Sequence, residues 1–291
     1  MLANGLALGT VQFGLPYGIA NRGGKTCPDE VSAVLAAAAV HGIDTLDTAI
    51  GYGDSEAILG RAGVAEWRII TKLPGLPADE SDVASWVERE ISGSLTRLRV
   101  GRLHGVLLHR PLDLLGSRGE ALFDALAALK RTGATGKIGV SVYGPEDLDL
   151  LAEFPFDLVQ APLNILDRRL IDSNWMQRLK DRGVELHVRS VFLQGLLLMS
   201  ATERPEKFAR WQPIWSYWDA WLVEHGLTPL QACLGCLASC APIDRLVVGA
   251  ADRVQLDEIV AAARCHATAW PDWPQPPELD LINPAHWDRL D

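Results

Sequence analysis

The sequence predicts a (β/α)₈ TIM barrel. Three observations carry this. Eight short apolar runs are each followed by a longer amphipathic run, so the hydrophobic period switches repeatedly from strand-like to helix-like. Such alternation produces either an open doubly wound sheet or a closed barrel. No Gly-rich dinucleotide fingerprint follows the first strand, which favours the barrel. The 291 residues fit one domain of this class, because such barrels run to about 250 residues before insertions. A single domain over 1–291 is expected, ending in a Trp- and Pro-rich tail from about residue 269.

The units follow in order. LALGT precedes PDEVSAVLAAAAVHG, GIDTLDTA precedes DSEAILGRAG, and RIITKL precedes DESDVASWVEREISGSLTRLRV. In the last of these, Val83, Val87, Ile91, Leu95 and Leu98 recur every three or four residues and predict one buried helical stripe. HGVLLH is followed by GEALFDALAALKRTG, KIGVSV by PEDLDLLAEF, and FDLVQAPLN by DRRLIDSNWMQRLKDRG. VELHVRSV leads into a long helical region, and DRLVVGA into DRVQLDEIVAAARC. Pro28 and Pro145 stand where first helical turns begin, and Gly42, Gly133 and Gly183 where helices stop. The tail AWPDWPQPPELDLINPAHWDRLD is expected to wrap the surface without regular structure.

Composition narrows the function classes. The net charge is −10, with no dense run of Lys or Arg to follow a phosphate backbone or an anionic lipid surface. Nucleic acid and membrane partners are therefore disfavoured, and no protein partner is indicated. The N-terminus MLANGLALGT lacks a basic segment before an apolar stretch, and no run reaches the ~18 apolar residues of a membrane span. A cytoplasmic protein is expected. Five cysteines form an odd set in a chain too large to need staples, so disulfides are not expected.

Barrel active sites lie at the C-terminal ends of the strands. Asp47 closes the second apolar run, Tyr52 lies in the loop after it, Lys72 closes the third and His109 the fourth. Consecutive strand ends are neighbours in a barrel, so the four side chains can converge. Carbonyl reduction needs a hydride on carbon and a proton on oxygen. A tyrosine, with a reference pKa of about 10, holds its proton at neutral pH and can release it to a developing alkoxide. Lys72 would stabilise the tyrosinate, Asp47 would hold the lysine charged, and His109 could donate a hydrogen bond to the carbonyl oxygen. Each residue singly also has a structural explanation, in a cap, a turn or a strand end. Their joint placement at three successive strand ends weighs against a purely structural reading.

The segments LGTVQFG, DTAIGYGDSE, IITKLP and LLHRP closely resemble the signature regions of the aldo-keto reductase superfamily. GVSVY, LVQAPLN, RSVFLQGLL and VVGAADRVQLDEI extend the resemblance over nearly the whole chain. It implies a barrel that binds NADPH, with NADH as the second possibility, and the catalytic set Asp47, Tyr52, Lys72 and His109. It further implies cofactor contacts from Gly9, Thr10, Asp47, Ser141, Gln160, Arg189, Ser190, Gly249, Ala250, Arg253, Gln255 and Glu258. Departures are visible: Val142 stands where members often have Asn, Arg189 where many have an aromatic ring, and Gly249 and Gln255 where NADPH-selective members carry cations. Asp252 and Gln255 are also spaced as a capping box.

The expected activity is NAD(P)H-dependent reduction of a small aldehyde, ketone or sugar-like carbonyl compound. The alternatives are a cofactor-binding regulatory subunit without turnover, or a redox-neutral epimerase or lyase acting on a sugar-like substrate. No metal site is expected: Cys233, Cys236 and Cys240 share a helix face but lack a fourth ligand and read as core residues. Trp211, Trp215, Trp218 and Trp221 are expected to pack a helix, with one or two at the mouth. In the first βα loop, Tyr17, Asn21, Arg22 and Lys25 should face the catalytic end.

Overall fold

The structure is a computed structural model describing residues 5–240, 242–265 and 269–290. Eight parallel strands close into a barrel in sequence order, each paired to the next and β8 back to β1. The strands are β1 (Leu6–Gly9), β2 (Thr45–Asp47), β3 (Arg68–Leu73), β4 (Leu103–Leu108), β5 (Thr135–Ser141), β6 (Leu158–Pro162), β7 (Glu185–Arg189) and β8 (Arg245–Gly249). The short turn α1 (Val11–Gly14) follows β1, and then come α2 (Pro28–Val40), α3 (Ser55–Ala62), α4 (Val83–Leu98) and α5 (Gly119–Thr132). The second half carries α6 (Pro145–Leu150), α7 (Arg169–Asp172), α8 (Trp175–Asp181), α9 (Gln212–His225), α10 (Pro229–Ala238), α11 (Arg253–Ala262) and α12 (Leu279–Ile282). Among the described residues no helix is long and apolar enough to cross a membrane.

The punctuation acts as the sequence predicts. Pro28 and Pro145 occupy first helical positions, and Gly42, Gly133 and Gly183 take positive φ beyond helix ends, a conformation glycine adopts without steric cost. The α4 stripe is buried at Val83, Val87, Ile91 and Leu98, with Trp86 added; Leu95 is partly buried against the same core. One expected helix is broken. DRRLIDSNWMQRLKDRG divides into α7 and α8 because Asn174 adopts the left-handed region at φ +62°, which Asn tolerates better than most residues.

The main core fills the space between strands and helices. Inside the barrel, Ile70, Leu107 and Leu158 form a small cluster of their own. Ile70 is two residues before Lys72, so the strand period of two puts both on one face and leaves Lys72 standing on an apolar floor.

A second core differs from expectation. Phe208, Trp211, Trp215 and Trp218 pack with Trp273, Leu281, Ile282 and Trp287. The tail is therefore not an irregular surface wrap: it forms α12 and a 3₁₀ turn at Pro284–Arg289, and its tryptophans enter the annex. Trp273 Nε1 donates to Ile165 O at 2.9 Å and Trp287 Nε1 to Leu281 O at 3.0 Å, so each indole is buried with its polar edge paired. Asp291, the last residue of the expected tail, lies outside the described residues. All four tryptophans of the 211–221 segment are buried in this annex, and none lines the mouth.

Candidate active site

Register brings the strand ends level. Gly9 lies opposite Asp47 on one side and Gly249 on the other, Lys72 opposite Leu107, and Ser141 opposite Gln160. At this rim opens a cavity of about 1180 Å³, larger than the ~300–1,000 Å³ of ordinary small-molecule pockets. It runs from Tyr52 and His109 past Gly9 and Thr10 to Asp252 and Gln255.

Lys72 is 1% exposed. Its Nζ donates to Asp47 Oδ1 at 2.6 Å, Asp47 Oδ2 at 2.8 Å and Thr48 O at 3.0 Å, and reaches Tyr52 Oη at 3.5 Å. Burial opposes the charge on Lys72, but the Asp47 carboxylate, followed by Tyr52, outweighs it and raises the lysine above its ordinary pKa. The ammonium is therefore a fixed positive charge beside the phenol. His109 meets the Tyr52 ring edge-on, with centroids 5.8 Å apart. Burial first, and the charges of Lys72 and Arg189 next, pull His109 down to about 4. At neutral pH it is an uncharged imidazole with one N–H to donate.

The loop carrying Tyr52 is clamped by close packing. A Cβ on Gly14 would fall 1.8 Å from Tyr52 O, and Gly53, at φ +57°, lies against Gly14 O. Only glycines permit that approach. Beneath the loop, the buried Glu56 accepts from Thr71 Oγ1 and Ser94 Oγ, each at 2.6 Å, and from Arg97 Nε at 2.8 Å. This ties α3 to β3 and α4.

Ser141 Oγ donates to Gln160 Oε1 at 3.1 Å, and Gln160 Nε2 donates to Asp47 Oδ2 at 2.7 Å. Thus the two residues expected to hold a carboxamide are joined to the Asp47 carboxylate. Arg189 Nη2 donates to Val142 O at 2.8 Å and Nη1 to Ser190 Oγ at 3.2 Å, with the guanidinium 5.1 Å from the Tyr143 ring centroid. Gly9, Thr10, Asp47, Ser141, Gln160, Arg189, Ser190, Gly249 and Gln255 all line the cavity. Ala250, Arg253 and Glu258 do not: Ala250 is fully buried, and Arg253 and Glu258 are exposed outside it. The capping box is half formed. Asp252 Oδ1 accepts from Gln255 N at 2.8 Å, but Gln255 Oε1 takes Ala251 N instead of Asp252 N.

The first βα loop lies on the cavity as expected. Asn21 serves the loop itself, bonding to the backbone of Tyr17, Gly23 and Gly24. Lys25 pairs with Asp54, and Arg22 with Glu203 across to the loop after β7. The Tyr17 pKa is raised, first by desolvation and then by Tyr52, with which it lines the cavity. Sequence reasoning missed Gln12, Thr26, Tyr143, Gln194 and the tail residues Pro284 and Ala285 as cavity residues. Gln12 and Tyr143 lie within a few residues of expected positions and could have been found; Pro284 and Ala285 had no local signal. The cysteines form no disulfide, and burial pushes the Cys233 thiol far above its ordinary range and the Cys236 thiol up to about 12, as inert core groups. Among the described residues no group of three or more His, Cys, Asp or Glu is arranged to hold a metal.

A barrel with a Tyr–Lys–Asp–His cluster at its C-terminal rim defines a class of oxidoreductase architecture. The aldo/keto reductase family model matches residues 5–269, and the chain belongs to that family. Its members generally use nicotinamide cofactors. The chain is similar to a 6-dehydroglucose reductase of Novosphingobium aromaticivorans, at 31% identity over 171 residues; the match covers 52% of this chain and 53%, about half, of that relative. Among solved structures, an aldo-keto reductase of Pseudomonas aeruginosa aligns at 25% identity and TM-score 0.66, covering 89% of this chain and 88% of that one. A glycerol dehydrogenase of Gluconobacter oxydans shares the fold at 21% identity and TM-score 0.70, covering 92% of each chain.

The cavity suits a nicotinamide dinucleotide. Two buried side-chain oxygens, Gln12 Oε1 and Thr26 Oγ1, have no hydrogen-bond partner, and both residues line it. A long polar ligand beginning at His109 would pass these atoms and could satisfy them.

Proposed function

We propose that this protein reduces the carbonyl group of a small aldehyde, ketone or sugar-like compound with a reduced nicotinamide dinucleotide, Tyr52 acting as general acid. The observation that carries this reading is Lys72 Nζ, buried between the Asp47 carboxylate and the Tyr52 hydroxyl, with Asp47 and Tyr52 lining the cavity. The bound dinucleotide supplies a hydride to the carbonyl carbon. Tyr52 gives its proton to the carbonyl oxygen as negative charge builds there, and Lys72 stabilises the phenolate left behind. His109, neutral at working pH, directs an N–H at the same oxygen and orients it. Ser141 and Gln160 would hold the carboxamide, since together they offer a donor and an acceptor.

Tyr17, Tyr143 and Gln194 line the cavity with the catalytic pair, and their hydroxyl and amide groups suit a hydroxylated substrate. The relative named a 6-dehydroglucose reductase supports sugar-derived carbonyl compounds as the class. The family resemblance favours NADPH as the carrier, whereas Gly249 and Gln255, where NADPH-selective members carry cations, leave room for NADH. The unpaired thiols suit a reducing compartment such as the cytoplasm. The test is loss of reduced-dinucleotide absorbance across a panel of simple aldehydes, ketones and oxidised sugars, with each carrier. Turnover of at least one carbonyl class is expected. Tight dinucleotide binding without turnover of any would favour a regulatory subunit instead, and product without net carrier consumption a redox-neutral reaction.

A further inference from the structure

The cavity has one reactive end, at Tyr52 and His109. Its other end is bounded by the N-terminus of α11, a place where backbone N–H groups ordinarily welcome a phosphate. Here two of those groups, Arg253 N and Gln255 N, are already taken. Glu30, reaching across from the first turn of α2, accepts from Arg253 N at 2.8 Å. Asp252 accepts from Gln255 N at 2.8 Å, and the Gln255 amide oxygen accepts from Ala251 N at 3.0 Å. Two carboxylates thus stand at the rim, and both residues line the cavity. Arg253, the cation on α11 itself, does not line it; its guanidinium is turned toward Asp257, at 3.4 Å. A second observation marks the same wall as a ligand surface: Thr26 is 6% exposed and its hydroxyl has no partner.

We infer that Glu30, with Asp252, makes this end of the cavity select a dinucleotide whose adenosine ribose carries a free 2′-hydroxyl, so that NAD(H) is preferred over NADP(H). The inference rests on the proposed use of a nicotinamide dinucleotide and goes beyond it. A ribose hydroxyl is a donor, and an ionised carboxylate is an acceptor with lone pairs to spare after taking one N–H. A ribose 2′-phosphate carries close to two negative charges at neutral pH. It would meet two carboxylates and a helix end whose Arg253 and Gln255 N–H groups are already taken, while Arg22 and Lys25 elsewhere on the cavity are paired with Glu203 and Asp54.

The test is calorimetric titration of the full-length protein with NAD⁺ and with NADP⁺, followed by the same pair on Glu30→Gln and Glu30→Lys. Wild type is expected to bind NAD⁺ at least tenfold more tightly. Glu30→Gln keeps an oxygen for Arg253 N but loses the charge, and should narrow the ratio severalfold. Glu30→Lys should narrow it at least tenfold, chiefly through gained NADP⁺ affinity; if that variant does not fold, Glu30→Gln alone decides. NADP⁺ binding as tight as NAD⁺ to wild type, or a ratio unmoved by both substitutions, overturns the inference while leaving dinucleotide-dependent reduction intact. Failure of both nucleotides to bind overturns the inference and the proposed function together.

Discussion

Replacing Asp47 by Asn isolates the electrostatics on which the site depends. The substitution is nearly isosteric, but it strips the counter-charge from an ammonium that is 1% exposed and held by both carboxylate oxygens at 2.6 and 2.8 Å. An uncompensated buried charge of this kind costs about 3–5 kcal/mol. A further conflict arises at Oδ2, which accepts from Gln160 Nε2 at 2.7 Å. An amide nitrogen there opposes two donors unless Gln160 turns over, and Gln160 Oε1 already accepts from Ser141. Urea denaturation should show Asp47→Asn destabilised by about 3–5 kcal/mol, with the midpoint lowered and the slope unchanged. Removing both charges in Asp47→Asn/Lys72→Met should cost less than Asp47→Asn alone, giving a coupling energy of about 1–3 kcal/mol. Additive losses, or an Asp47→Asn penalty under about 1 kcal/mol, would refute the assignment of Asp47 as the buried counter-ion.

Other predictions follow the same geometry. His109 binds its proton near 6.5 in the unfolded chain and near 4 in the fold. Between those values the unfolded chain holds more protons, so native stability should fall as pH falls through the window, by on the order of 3 kcal/mol in all. His109→Gln should flatten that dependence, measured as urea midpoints from pH 7 to 4; an unchanged slope would contradict a buried neutral imidazole. Gly14→Ala puts a carbon where Tyr52 O stands, and a displacement of even 1 Å can lower kcat about 100-fold. Dinucleotide affinity should stay within a few-fold, and unaltered kcat would show that the clamp does not position the phenol. Trp218→Ala removes a fully buried indole bonded to Leu197 O and stacked on Trp221. It should cost about 3–5 kcal/mol; thermal melting would check it, and a loss below 1 kcal/mol would mean the annex is not tightly packed.

What the sequence made legible was whatever is repeated or local. The switch between periods two and 3.6 located all eight strand–helix units, and Asp47, Lys72 and His109 followed from strand ends, with Tyr52 in the loop after the second. Residues brought in from afar were not legible. The tail reads as an irregular wrap because its prolines break any long period, yet Trp273 and Trp287 find an apolar annex that Trp211, Trp215 and Trp218 open from 55 residues or more away. At the far end of the cavity, Gln255 and Arg253 could be judged from helix spacing, but Glu30 could not. It meets the N-terminus of α11 only because closure of the barrel sets α2 beside it. Arg253, an expected cofactor contact, instead pairs its side chain with Asp257 one helical turn on.

The central claim is that Tyr52 delivers the proton during carbonyl reduction. The most direct measurement is single-turnover oxidation of the pre-bound reduced dinucleotide by a carbonyl substrate, wild type against Tyr52→Phe, with dinucleotide affinity determined for both. The account predicts a rate about 10²–10⁴-fold lower in Tyr52→Phe, with affinity essentially retained. Equal single-turnover rates would contradict it.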